Sequence, residues 1–134
     1  MTIDRSALKD AKRIVEKVGT STITYANGKR LARELADLQY QCKEMFRVTS
    51  GAVAVGVDRL GLPEKPKTIP GKQAAAAVGQ GILMHTYEKL FAEYGQIVAQ
   101  VLLTITESLD RHRYTKSRNT FMELLKNRVI PIVN

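Results

Sequence analysis

The sequence predicts an α/β domain: a mainly parallel sheet flanked by helices in three αβα layers, broken off after about four strands. Three observations carry that expectation. Short apolar runs alternate with segments of helical period, the order that builds a parallel sheet. One run, Ile97–Leu103, is continuously apolar, as a strand buried on both faces would be. The composition, 44% hydrophobic and 25% charged over 134 residues, suits a single core and argues against wholesale disorder.

Taken in order, Lys12–Val18 reads as the first strand, ending at Gly19-Thr20-Ser21. Asn27-Gly28 has turn chemistry and introduces a helix with Leu31, Leu35, Leu38 and Cys42 on one face. Glu44–Thr49 is the second strand. The small residues from Gly51 to Gly56 then predict a tight turn into a closely packed helix start. Leu60–Pro70, with Pro63, Pro66 and Pro70, reads as a loop within the domain.

Lys72–Tyr94 is the longest helical pattern, with Ala75, Val78, Ile82, Leu83, Leu90, Phe91 and Tyr94 at three- and four-residue steps and Gly95 as its stop. Gly79 and Gly81 inside it each cost about 1 kcal/mol against alanine unless close packing requires them. Ile97–Leu103 is the third strand, and Tyr114–Asn127 a further helix with Phe121, Leu124 and Leu125 inward. Val129–Val133 is the fourth strand, where Pro131 argues for an edge or irregular position.

Sheets of this kind bind ligands outside the carboxyl ends of their strands. That rule selects Gly19–Ser21, Thr49–Ala52, Thr104–Glu107 and the region at and after Asn134. The chain stops at that fourth point, directly after a strand, as if cut there.

Charge and cysteine content narrow the setting. Twenty-one basic residues against thirteen acidic ones give a net charge of +8, and residues 111–134 carry +5 of it. Such a patch attracts anions, whether nucleic acid, nucleotide phosphate or carboxylate, unless it is simply a solvated helix face. No apolar run approaches the ~20 residues of a membrane-spanning helix, and the first ten residues lack the pattern of a secretory leader. Cys42 stands alone, so an internal disulfide and a cysteine metal cluster are both excluded. A reducing cytoplasm is the expected compartment.

Generic motifs fail. Gly51 to Gly56 has the glycine spacing of a P-loop, but Val57 stands where its lysine belongs. The Gly79/Gly81 pair lacks the third dinucleotide-binding glycine. His85 and His112 have no partners at ligand spacing, so no metal site is expected, and Ser50 has no nearby His–Asp relay.

Longer strings are more specific. They are Lys17-Val-Gly-Thr-Ser21, Thr49-Ser-Gly-Ala-Val-Ala-Val-Gly56, Lys67 to Gly81, Val98-Ala-Gln-Val-Leu-Leu-Thr104, Asp110-Arg-His-Arg-Tyr114, Ser117-Arg-Asn-Thr120 and Val129-Ile-Pro-Ile-Val-Asn134. In this order, from about Lys12 to Asn134, the chain resembles the glutamate 5-kinases of the amino acid kinase family. The resemblance implies an amino acid kinase-like fold. It also implies ATP-dependent formation of γ-glutamyl phosphate from L-glutamate, the first step of proline biosynthesis, with ATP and Mg2+ as cofactors.

By that resemblance Lys17 is the catalytic lysine at the transferring phosphate, and Gly19, Thr20 and Ser21 bring N–H and hydroxyl groups to phosphate oxygens. Ser50, Gly51 and Ala52 match the family's substrate loop, whose rival reading is an ordinary N-cap serine. Asn134 matches the first residue of an acidic-asparagine substrate motif. Arg111, Arg113 and Arg118 fall in a stretch near the crevice, or are solvated helix charges.

The family's kinase domain runs much further, and its second half supplies the nucleotide-binding lobe. Residues 1–134 are therefore expected to be the amino-terminal, glutamate-binding part, inactive alone, with L-glutamate binding weak or absent in the fragment and neither ATP nor Mg2+ held tightly. A homo-oligomer is also implied, whereas a membrane or nucleic-acid partner is not. An alternative stays open: a non-catalytic binding or interaction domain with a basic carboxyl-terminal surface.

Several positions depart from the family pattern. The helix after Asn27-Gly28 is shorter, Ile105-Thr-Glu-Ser108 replaces a charged stretch, and Thr115-Lys116 replaces a leucine–asparagine pair. Glu16 and Arg47 stand in strands where the family is apolar. Strand alternation sets Glu16 with Ile14 and Val18, and Arg47 with Met45 and Thr49, so the two charges meet if these strands are neighbours.

Overall fold

A computed structural model describes residues 5–19, 25–104, 106 and 109–134. After a short 3-10 turn at Arg5–Lys9 come strand β1 (Arg13–Val18), helix α1 (Tyr25–Tyr40), β2 (Glu44–Thr49), α2 (Ala52–Leu60), α3 (Ile69–Ala92), β3 (Val98–Val101), α4 (Arg111–Lys126) and β4 (Ile130–Val133). The four strands are all parallel in the order β1-β2-β4-β3. Each parallel step needs a crossover, which the helices supply.

The expected α/β architecture is therefore observed, in three layers. Ala32 and Leu35 of α1 and Leu83, Tyr87, Leu90 and Phe91 of α3 close over Met45, Ile130 and Ile132 on one face of the sheet. Helix α4 lies on the other face, where the Phe121 ring meets Phe46 with centroids 5.4 Å apart.

Two strand assignments exchange places. The run Ile97–Leu103 forms only the short edge strand β3, with Ile97 and Leu102 exposed. β4, despite Pro131, lies between β2 and β3 with all four residues buried. The geometry explains the tolerance. Successive N–H groups along a strand point to opposite neighbours, and the Ile130 N–H donates to Ile97 on the β3 side. The donor missing at Pro131 would have faced β2, and the β2–β4 register includes only Arg47↔Ile132 and Val48↔Val133.

Helix boundaries move for equally local reasons. Asn27-Gly28 is not a turn but lies inside α1, where a Cβ on Gly28 would meet Leu90 Cδ1 at 3.0 Å. Cys42 does not extend the helix face. It is exposed and left-handed just past the helix, with the Lys43 N–H returning to the Leu38 carbonyl. Thr68 Oγ1 accepts from the Gly71 N–H and starts α3 at Ile69, placing Pro70 in the first turn rather than in the loop. Asp110 Oδ1 accepts from the His112 and Arg113 N–H groups and starts α4 at Arg111, ahead of the expected Tyr114. Val78, expected inward on α3, is exposed, while Tyr87, unremarked in the pattern, is 2% exposed.

Helices α2 and α3 touch through their backbones. A Cβ on Gly56 would overlap the Ala75 carbonyl, and one on Gly79 would overlap the Ala52 carbonyl. Close packing thus requires Gly79. Gly81 faces open space, and packing within the chain gives it no such role.

Candidate functional site

The site is built at the carboxyl ends of β2 and β4, adjacent in the sheet. At the end of β2 the chain turns sharply through Gly51, whose φ of 109° is left-handed and favours glycine, into the first turn of α2. Gly51, not Ser50, is the N-cap, and no side chain caps this helix. The ordinary N-cap reading of Ser50 is thereby removed. The first N–H groups of α2 are left without side-chain partners, in a geometry suited to an anion.

Ser50, Gly51, Ala52 and Asn134 line one cavity of about 490 Å³, together with Val53, Ala54, Val57, Lys65 and Ala76. Four residues from two distant parts of the sequence are thus brought together. Lys65, from the proline-containing loop after α2, adds a cation that the sequence reading missed; no periodicity marks a residue in such a loop. A second hollow of about 520 Å³ shares Ala52, Ala76 and Asn134 and adds the amides of Gln73, Gln80 and Gln100. Asn134 Nδ2 donates to Gln80 Oε1, while the buried Gln80 Nε2 has no partner among the described residues.

The phosphate-side residues are placed differently. Lys17 is exposed near the end of β1, beside Val48 in register, on the face opposite Glu16 and Val18, and does not line the 490 Å³ cavity. Gly19 follows at the strand end and is exposed. Thr20 and Ser21 lie outside the described residues. Arg118 lines a separate groove with Arg13, Phe46 and Tyr114, and Arg113 sits 3.9 Å from Asp110. Among the described residues no group of three or more His, Cys, Asp or Glu side chains is placed to hold a metal, and no helix is long and apolar enough to cross a membrane.

Beneath the cavity runs a buried polar network. Glu16 and Arg47 are register partners on neighbouring strands, and Arg47 Nη1 lies 2.9 Å from Glu16 Oε2. The Arg47 guanidinium sits 4.8 Å from the centroid of the Tyr87 ring, and the Tyr87 hydroxyl lies 3.0 Å from Thr49 Oγ1. Arg47 is 1% exposed, so its charge is carried by Glu16 and the ring face rather than by water. Burial pushes the Glu16 carboxyl above its ordinary range; Arg47 opposes this in part, and Glu34 adds to it.

The fold is thus a parallel α/β sheet with an uncapped helix start and a lysine lining the cavity at its strand ends. Residues 12–134 match the amino acid kinase family, and the chain belongs to it. It is 56% identical, over 97% of its length, to a glutamate 5-kinase of Moorella thermoacetica, covering 36% of that protein. It is 55% identical, over 95% of its length, to a glutamate 5-kinase of Clostridium tetani, covering 50%. The chain thus spans about a third to a half of these relatives. Among solved structures, aspartate kinase from Synechocystis superposes with a TM-score of 0.55 at 14% identity, over 92% of this chain and 21% of that one, which shows the shared fold.

Proposed function

We propose that this chain is the amino-terminal, glutamate-binding part of an amino acid kinase domain that transfers the terminal phosphoryl group of ATP to the side-chain carboxylate of L-glutamate. The nucleotide-binding lobe lies outside these residues in this reading. The observation that carries it is the convergence of Ser50, Gly51, Ala52 and Asn134 on one cavity at an uncapped helix start. High identity to proteins named glutamate 5-kinase supports the choice of substrate.

Such a transfer joins two anions, so its catalysis rests on positioning and on charge neutralisation. Ser50 and the amides of the α2 start hold a carboxylate, with Lys65 as a nearby cation. Lys17, with Gly19, Thr20 and Ser21, attends the phosphate across the neighbouring strand end. ATP is the phosphoryl donor. Mg2+ would neutralise charge on its phosphates, but the described residues offer it no ligand cluster, so no step is assigned to it. A homo-oligomer and proline biosynthesis belong to the same proposal.

The test is acyl-phosphate trapping. Glutamate, ATP and hydroxylamine with the pure 134-residue chain are expected to yield no hydroxamate, while glutamate binding perturbs the amide resonances of Gly51 and Ala52. Turnover by this chain, abolished in Lys17→Ala, would overturn the division of labour. Absence of any glutamate-dependent shift would overturn the site.

A further inference from the structure

We propose that Tyr87 is a positioning residue that aims the Gly51 N–H into the substrate cavity through Thr49. This rests on the glutamate-binding reading above and extends it to a helix that the sequence does not associate with the site.

Proton counting sets the direction of the relay. Thr49 Oγ1 is 3.3 Å from the Ser50 carbonyl oxygen and 3.0 Å from the Tyr87 hydroxyl. A carbonyl only accepts, so the single Thr49 hydroxyl proton goes to Ser50, and Tyr87 must donate to Thr49. The chain is Tyr87 O–H to Thr49 O–H to Ser50 C=O. Its Tyr87–Thr49 link is buried, with Tyr87 2% and Thr49 3% exposed, its Thr49–Ser50 link is part-buried, and hydrogen bonds in series reinforce one another.

The consequence lies on the far side of the peptide. The Ser50–Gly51 unit is planar and trans, so its carbonyl and its N–H point in opposite directions. Holding the carbonyl toward Thr49 turns the Gly51 N–H away from the core, on the stretch Ser50–Ala54 that lines the cavity. No described hydrogen bond consumes that N–H, which is therefore available to a carboxylate. Without the relay the plane is free to rotate, because Gly51 at φ 109° carries no side chain to restrain it.

Tyr87 is itself held from two sides. Its ring packs against Arg47, and Arg47 pairs with Glu16, the residue before Lys17. One network thus reaches both strand ends that the reaction uses.

Backbone resonances of the labelled 134-residue chain, with and without L-glutamate, test this. Tyr87→Phe keeps the ring over Arg47 and removes only the donor. It is expected to shift the Ser50 carbonyl-carbon and Gly51 amide signals in the free protein and to weaken glutamate binding about tenfold. Thr49→Ser retains the relay and should resemble the parent, whereas Thr49→Val should reproduce Tyr87→Phe. A merely structural tyrosine would lower stability without separating Thr49→Ser from Thr49→Val at Gly51. Unchanged Ser50 and Gly51 signals in Tyr87→Phe would overturn the proposal. If the parent chain shows no glutamate response, the functional reading fails, and the relay is then judged on the free-state signals alone.

Discussion

Under α1 and α3 the sheet presents Met45, Arg47, Thr49, Ile130 and Ile132, none more than 3% exposed, whereas the face toward α4 leaves Val15 62% exposed and Phe46 half-buried. Both faces carry charged side chains, but only the first buries one almost completely: Arg13, Lys17 and Glu44 of the second stay at least partly in water. Covering is what makes that possible. With helices closing over it, the first face answers its polar groups from neighbours, Glu16 for Arg47 Nη1 and Thr49 for Tyr87, and leaves only Arg47 Nε on these strands without a partner among the described residues. The second face has one helix, and its Arg13–Glu44 pair, 2.6 Å apart, is shared with water that remains within reach.

Truncations measure the contrast most directly. Phe91→Ala, at a fully buried ring, is expected to cost about 3–5 kcal/mol, and Phe121→Ala, on the half-covered face, about half as much. Urea unfolding of both variants provides the measurement. Equal costs would mean that the two faces are equally packed.

A smaller effect tests whether the buried charge is answered. Glu16→Val leaves Arg47 unpaired and should cost about 3 kcal/mol, the low end for breaking a buried pair, because Glu16 keeps 24% of its side chain in water. Arg47→Leu should also destabilise, and the double variant should lie near the parent. Additive effects in that cycle would show that the two charges act independently.

The smallest effect is in pH. The folded chain raises the Glu16 pKa above its ordinary 4.5, so just above that value the folded state holds a proton that the unfolded chain has released. The associated stability is present below pH 4.5 and is lost as pH rises through the raised value. Melting temperatures across this range should show that decline for the parent, and Glu16→Gln should flatten it.

Much of this was readable beforehand. Four strands were visible as apolar runs, and β2 falls at its expected limits because Thr49 ends the run and Gly51 turns the chain. The Glu16–Arg47 pair followed from alternation once the strands were neighbours. What stayed hidden was order. Nothing in Ile130–Val133 says that it inserts between β2 and β3, because a parallel strand carries no local record of its partners. Asn27-Gly28 misled for a different reason: a glycine that admits Leu90 is spelled like a glycine that makes a turn. Of the site, the Ser50 loop and Asn134 were legible as strand ends. Lys65 and Tyr87 were not, since folding alone brings a loop and a distant helix to them.

The place of β4 has a consequence for how the chain is made. A ribosome delivers β1 and β2 first, and they can pair at once. It then delivers β3, which has no partner until Ile130–Val133 is synthesised. At roughly 5–20 residues per second, the intervening 102–129 segment takes on the order of seconds to appear. For that interval Val98–Val101 lacks its β4 partner, and of these four strands the one that lies between β2 and β3 is the last to be translated.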